Sequence, residues 1–190
     1  TDYVSGANGT AENQDRRGEY LNVSSALVIK HLTQVNDAWL EGADYRSDFE
    51  SDADAGIEKI LTGMIVLSGF ETGGERLQAS LDSGDQEDEH SCFSDNTHRD
   101  MVQDVRGIMN VWKGTYTALD GTVIEGAGIY DVVVDLDSDL AERLDAQIVQ
   151  SLELANALKA PYDQEIAPDN AEGNARVQAL IQSLRDQETM

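Results

Sequence analysis

The sequence predicts an all-α, up-and-down helical bundle with one short β-hairpin insertion, and three observations carry that prediction. Apolar residues recur at steps of three and four through several long windows. Only two prolines, Pro161 and Pro168, interrupt 190 residues. A single Asp120-Gly121 pair stands between Thr115–Leu119 and Thr122–Glu125, a strong short-range hairpin signal. The length suits one domain over 1–190 with a real core.

Residues 1–12, with Gly6, Asn8 and Gly9, read as a loop or arm. A helix is expected from about Asn13 to Ala43, because Leu21, Val28, Leu32, Val35 and Trp39 fall on one stripe. The run Tyr45 to Asp54 reads as a polar connection. The second helix carries Ile57, Ile60, Leu61, Met64, Leu67, Phe70, Leu77 and Leu81. It also contains Gly63, Gly69, Gly73 and Gly74, each costing roughly 1 kcal/mol against alanine in a helix interior. Either a kink or a close neighbour along Gly69 and Gly73 offsets that cost. Residues 82–96 form a long acidic loop, expected to be ordered beside the Glu71–Arg76 turn with Cys92 and Phe93 as its apolar anchor. Asp95 is the expected N-cap of a third helix bearing His98, Met101, Val105, Ile108 and Trp112. A short apolar helix near 129–136 follows the hairpin region of 115–125. Ser138 then caps a long helix with Leu140, Leu144, Ile148, Leu152 and Ala155, ended by Pro161. A last helix from about Asp169 shows Val177, Leu180, Ile181 and Leu184.

Charge excludes whole classes of function. Lys plus Arg number 13 against 37 Asp plus Glu, a net charge of −24, so nucleic acid and anionic lipid surfaces are repelled. The longest apolar stretch, Gly63 to Phe70, is far short of the ~20 residues of a membrane span. Cys92 is the single cysteine, which excludes an intrachain disulfide and an all-cysteine metal site. The start Thr-Asp-Tyr-Val carries no signal peptide, as in a processed or trimmed chain. No His-Glu-x-x-His, phosphate-binding lysine loop, G-x-G-x-x-G or G-x-S-x-G occurs.

Three features carry possible chemistry. Glu71 and Glu75 lie one turn apart, and Glu71 borders the apolar face, where a carboxylate must be paired, metal-bound or protonated. A solvated pair bridged to an arginine is the plainer alternative. Glu87, Asp88, Glu89 and His90 cluster with Cys92 in the acidic loop, either as ligands or as a solvated segment. His98 stands at the first turn of its helix, as a ligand or a satisfied core residue; His31 reads as core.

The runs Leu67-Ser-Gly-Phe-Glu71-Thr-Gly-Gly-Glu75-Arg76 and Asp85-Gln-Glu-Asp-Glu-His90-Ser-Cys-Phe-Ser-Asp-Asn-Thr-His98-Arg-Asp100 resemble the imelysin-like family, in its iron-regulated protein A branch. The opening Asp2-Tyr3, the Arg16-Arg17-Gly18-x-Tyr20-Leu21 run and the Tyr116–Gly128 region are similar too. The resemblance covers nearly the whole chain but only the later half of a typical member. It implies a bacterial envelope protein, periplasmic or outer-membrane-associated and linked to iron uptake, with a site between two helical bundles. It also implies a metallopeptidase classification. The family signature G-x-H-x-x-E is absent here, which argues against independent peptidase activity.

The resemblance carries over Glu71, Glu75, Arg76, Glu89, His90, Ser91, Asp95, Asn96 and His98 as ligand or metal candidates. Glu71, Glu75, His90 and His98 would offer oxygen and nitrogen donors to iron or zinc, and Arg76 would orient a carboxylate or an anion. The implied partners are an N-terminal imelysin bundle or another envelope protein, besides the metal or small ligand. Three functions follow: a binding protein, a metallopeptidase half-site, or a structural docking bundle. The chain is expected to be less than the whole functional unit, with an uncovered apolar groove along Gly69–Gly74 bordered by Glu71, Glu75 and His98.

Overall fold

A computed structural model describes residues 3–190, so Asp2 of the opening Asp2-Tyr3 pair lies outside the described residues. The chain is all-α apart from one two-stranded hairpin. Its contacts divide it into two compact units, one up to Gly56 and one of Ile57–Met190.

In the first unit, α1 (Gln14–Ala38) begins where Gln14 clamps the preceding turn, accepting from the Gly6 N–H at 2.8 Å. No residue of α1 is buried, so its apolar stripe is exposed. The helix stops at Ala38, short of the expected Ala43, because the Trp39 ring turns onto Tyr45 and Phe49, each with ring centroids 5.1 Å away. Those two aromatics, four residues apart, organise α2 (Asp44–Glu50) where the sequence suggested only a polar connection. An Arg46–Glu50 ion pair at 2.7 Å supports it.

The second unit is built on a helix that changes its winding. It is α-helical as α3 (Ala53–Ile65), widens to a π-helix over Val66–Gln78, and returns to α-helix as α4 (Ala79–Ser83). The close neighbour expected along its glycines is α9 (Ala171–Glu188). A Cβ on Gly69 would overlap the Glu188 carboxylate, and one on Gly73 would meet the Leu184 Cβ at 3.5 Å. The expected open groove along Gly69–Gly74 is therefore filled by the chain's own last helix. Ser68 Oγ donates to the Leu184 carbonyl at 2.9 Å, and Gln187 Nε2 donates to Ser68 Oγ at 3.0 Å.

The remaining elements are α5 (Thr97–Lys113), β1 (Thr115–Thr117), β2 (Val123–Glu125), α6 (Ile129–Leu136), α7 (Ser138–Asn156) and α8 (Tyr162–Ile166). The strands pair antiparallel with Tyr116 opposite Ile124, and the Asp120 carboxylate accepts from the Thr122 N–H at 2.9 Å in the turn. Asp137, not Ser138, caps α7, accepting from the Leu140 N–H at 2.9 Å. The long helix ends at Asn156, before the expected Pro161, which instead takes the N-cap position of α8; that helix contributes the fully buried Tyr162 and Ile166.

Two apolar clusters form the interior. One joins Leu77, Met101, Val105, Tyr162 and the α9 stripe Val177, Leu180, Ile181 and Leu184, all fully buried. The other centres on Ile108, Trp112, Ile129 and Ile148. Trp112 Nε1 donates to Asp145 at 2.9 Å, and the ring meets Tyr130 edge-on at 5.6 Å. Between α7 and α9, Ser151 and Ser183 share a buried hydrogen bond at 2.9 Å, and Gln147 donates to Ser183 at 2.8 Å. Glu165, 2 % exposed, receives two Arg176 bonds of 2.7 Å, which hold its carboxyl below the usual range.

These contacts separate the glycines by role. Gly63 faces open space, so Gly63→Ala should raise stability by up to about 1 kcal/mol. Gly73→Leu drives a side chain into Leu184 and Ile181 and should cost about 1–3 kcal/mol. Urea denaturation of both variants checks this pair, and equal effects would contradict the assignment.

Candidate functional site

Three segments meet where the π-helix passes the first half of α5 and the acidic loop covers both. Thr72, buried on the π-helix, donates from Oγ1 to Asp104 Oδ2 at 3.3 Å. Burial pushes the Asp104 carboxyl up; His90 and the Thr72 bond oppose that, Asp100 adds to it, and Arg76 opposes it again. The loop residue His90 is therefore near enough to Asp104 of α5 for their charges to interact. Asp100, one turn before Asp104, accepts from Asn96 Nδ2 at 2.7 Å and from Ser91 Oγ. The Ser91 N–H donates to Thr97 Oγ1 at 3.1 Å. Arg76 reaches Glu71 at 3.4 Å, a loose pair at the exposed edge.

The loop owes its shape to short polar bonds. Asp85 caps a 3₁₀ turn at Gln86–Asp88 by accepting from the Glu87 N–H at 3.0 Å. Gln86 then spans the loop to Asp95 Oδ1 at 2.9 Å. Asp95 is thereby used within the loop, at φ 51°, and Asn96 takes the N-cap position of α5 expected for it. Phe93 is 95 % exposed, so the expected apolar anchor is not one. The loop is instead held by polar bonds.

The candidate residues thus separate into groups. Arg76, His90, Ser91 and Asn96 gather around Asp100 and Asp104, with Glu71 attached through Arg76. Glu75 is exposed. His98 lies on a different side of α5, in a hollow with Arg99, Val102, Arg106, Asn156 and Leu158. Glu89 points inward, only 7 % exposed, and neither carboxylate oxygen is in good hydrogen-bond geometry with a described residue, although the Thr97 hydroxyl lies close enough to favour its charged form. Among those residues no three His, Cys, Asp or Glu side chains converge to hold a metal ion. The set Glu71, Glu75, His90 and His98 therefore does not assemble into an iron or zinc centre within this chain.

Thr72, Asp100 and Asp104 were missed from the sequence. Asp100 and Asp104 are spaced one turn apart, and Thr72 falls one turn before Arg76, so helical spacing held the signal. It was masked by the more conspicuous acidic loop.

A family model described as Imelysin matches residues 2–190. No curated protein matches the chain.

Glu89 makes this region pH-sensitive in a definite direction. Burial raises its pKa above the ordinary 4.5, with the Thr97 hydroxyl opposing and Asp163 and Asp95 adding to the rise. The folded state then holds a proton more tightly than the unfolded chain, so stability falls as pH rises from the ordinary value through the raised one. Glu89→Gln should raise the melting temperature at pH 7 by on the order of 2–4 °C. The gain should vanish below pH 4, where wild-type Glu89 is protonated in both states. Melts of both proteins at the two pH values test it; a gain equal at both would contradict the titration.

Proposed function

Because the chain belongs to the imelysin family, we propose that it is a binding bundle of an envelope protein linked to bacterial iron uptake. In this reading it supplies part of a site rather than a whole one. The observation that carries it is the face where Thr72, His90, Ser91, Asn96 and Arg76 surround Asp100 and Asp104. That face offers one imidazole, two carboxylates of which one is kept partly desolvated, and a guanidinium for an anionic group. Its carboxylates already accept bonds from neighbours, so they are oriented before a ligand arrives.

Iron and zinc are the metals the family reading implies, and the donors among the described residues do not close a set around either one. The completing groups therefore come from a partner, an N-terminal imelysin bundle or another envelope protein. No proton transfer or bond cleavage is assigned to these residues. The surrounding charge of −24 favours cation approach and keeps anionic polymers away.

Calorimetric titration of the purified chain with Zn²⁺ and Fe²⁺ tests the reading. The chain alone should bind with a dissociation constant in the millimolar range, roughly −4 kcal/mol. Adding the first bundle of an imelysin protein that carries G-x-H-x-x-E should tighten binding by at least about tenfold. His90→Ala should abolish that gain. Micromolar binding by the chain alone, or no gain with the bundle, would overturn the proposal.

A further inference from the structure

We infer that the hollow between α5 and the end of α7 is a binding site for a small dicarboxylate, held by Arg99 and Arg106 at either end with an apolar spine between them. The inference rests on different residues from the face described above and goes beyond that reading. The hollow has a volume of about 330 Å³. Arg99 and Arg106 stand seven residues apart on α5, a rise of roughly 10 Å along one side of the helix. Val102 falls midway between them, and Leu158 and Ala155 of the facing segment complete an apolar floor. His98, Gln103 and Asn156 line the hollow with the two arginines.

What marks this place is that two arginines without an ion pair line one hollow. Acidic residues outnumber Lys and Arg by 37 to 13, so an arginine on this protein has carboxylates to choose from. Arg176, Arg46 and Arg76 each have one. Among the described residues, neither Arg99 nor Arg106 makes an ion pair or a side-chain hydrogen bond. The nearest carboxylates in sequence, Asp100 and Asp104, are committed to Ser91, Asn96 and Thr72 on the other side of α5. Two guanidiniums without an ion pair around an apolar floor match an anion with a carbon skeleton.

Each guanidinium presents a planar fork that a carboxylate meets with two parallel bonds. The separation of the arginines asks for two such groups on one ligand, and Val102 and Leu158 ask for methylenes between them. A compact oxyanion such as phosphate meets one arginine and leaves the floor uncovered. At physiological ionic strength the Debye length is about 8 Å, so exposed carboxylates farther away than that are largely screened from the site.

Calorimetry of the whole chain at 0.15 M NaCl with adipate, adipamide and inorganic phosphate tests the inference. Adipate should bind saturably, phosphate at least about tenfold more weakly, and the neutral diamide not at all. Arg99→Gln and Arg106→Gln should each weaken adipate about tenfold, and the double variant should abolish binding. Arg143→Gln, on α7 outside the hollow, should leave it unchanged, and circular dichroism confirms that the variants fold. Adipate binding that survives the double variant, equal binding of adipamide, or no saturable adipate binding would each overturn it. None of these outcomes touches His90 or the divalent-metal titration, so failure here leaves the proposed function standing.

Discussion

The close contact between the π-helix at Val66–Gln78 and α9 is the constraint on which the second unit depends. Glycine at positions 69 and 73 removes the side chains that would hold the two helices apart. Ser68 then reaches the Leu184 carbonyl, and Gln187 reaches Ser68. The hydroxyl of Ser68 has one proton and spends it on Leu184, so Gln187 must donate, which fixes its amide orientation. Buried in this seam, the polar bonds are well satisfied on the Ser68 side, and the α9 stripe of Leu180, Ile181 and Leu184 follows from the same approach. A π-helix turns its side chains differently from an α-helix and is often found at functional sites. Here Thr72 lies in the widened stretch and bonds to Asp104 of α5. The seam with α9 and the polar face thus share one distorted segment.

The strongly acidic composition is handled by unequal treatment of individual carboxylates. Glu165 is buried and matched by a two-pronged Arg176, so its charge is stabilised. Glu89 and Asp104 are partly or wholly desolvated without an equivalent partner, and their pKa values rise. Both lie around the acidic loop, where the resemblance placed the site. Carboxylates held in a costly environment mark functional regions more often than random surface does.

The helical periodicity made most of the second unit legible. Val177, Leu180, Ile181 and Leu184 were expected on one stripe and are all fully buried. Of the four glycines in the second helix, Gly69 and Gly73 correctly signalled a close neighbour, whereas Gly63 faces open space. The π winding was not legible, since apolar spacing alone does not separate a π-helix from an α-helix over a few turns. Element α2 was hidden because Tyr45 and Phe49 sit among acidic residues, and α8 because Pro161 reads equally as a stop and a start. At the site, the sequence placed Arg76, His90, Ser91 and Asn96 in one neighbourhood but grouped His98 with them. One residue along α5 turns a side chain by about 100°, which is enough to carry His98 into the arginine hollow. Phe93 misled for a simpler reason: an aromatic in a polar loop need not be buried.

The coupling between Ser68 and Gln187 tests the central claim most directly. A double-mutant cycle with Ser68→Ala, Gln187→Leu and the combined variant, read by urea denaturation, isolates the interaction across the π-helix–α9 seam. The account predicts a coupling of about 1 kcal/mol, within the range for residues in one buried network. Strictly additive effects of the two substitutions would contradict it.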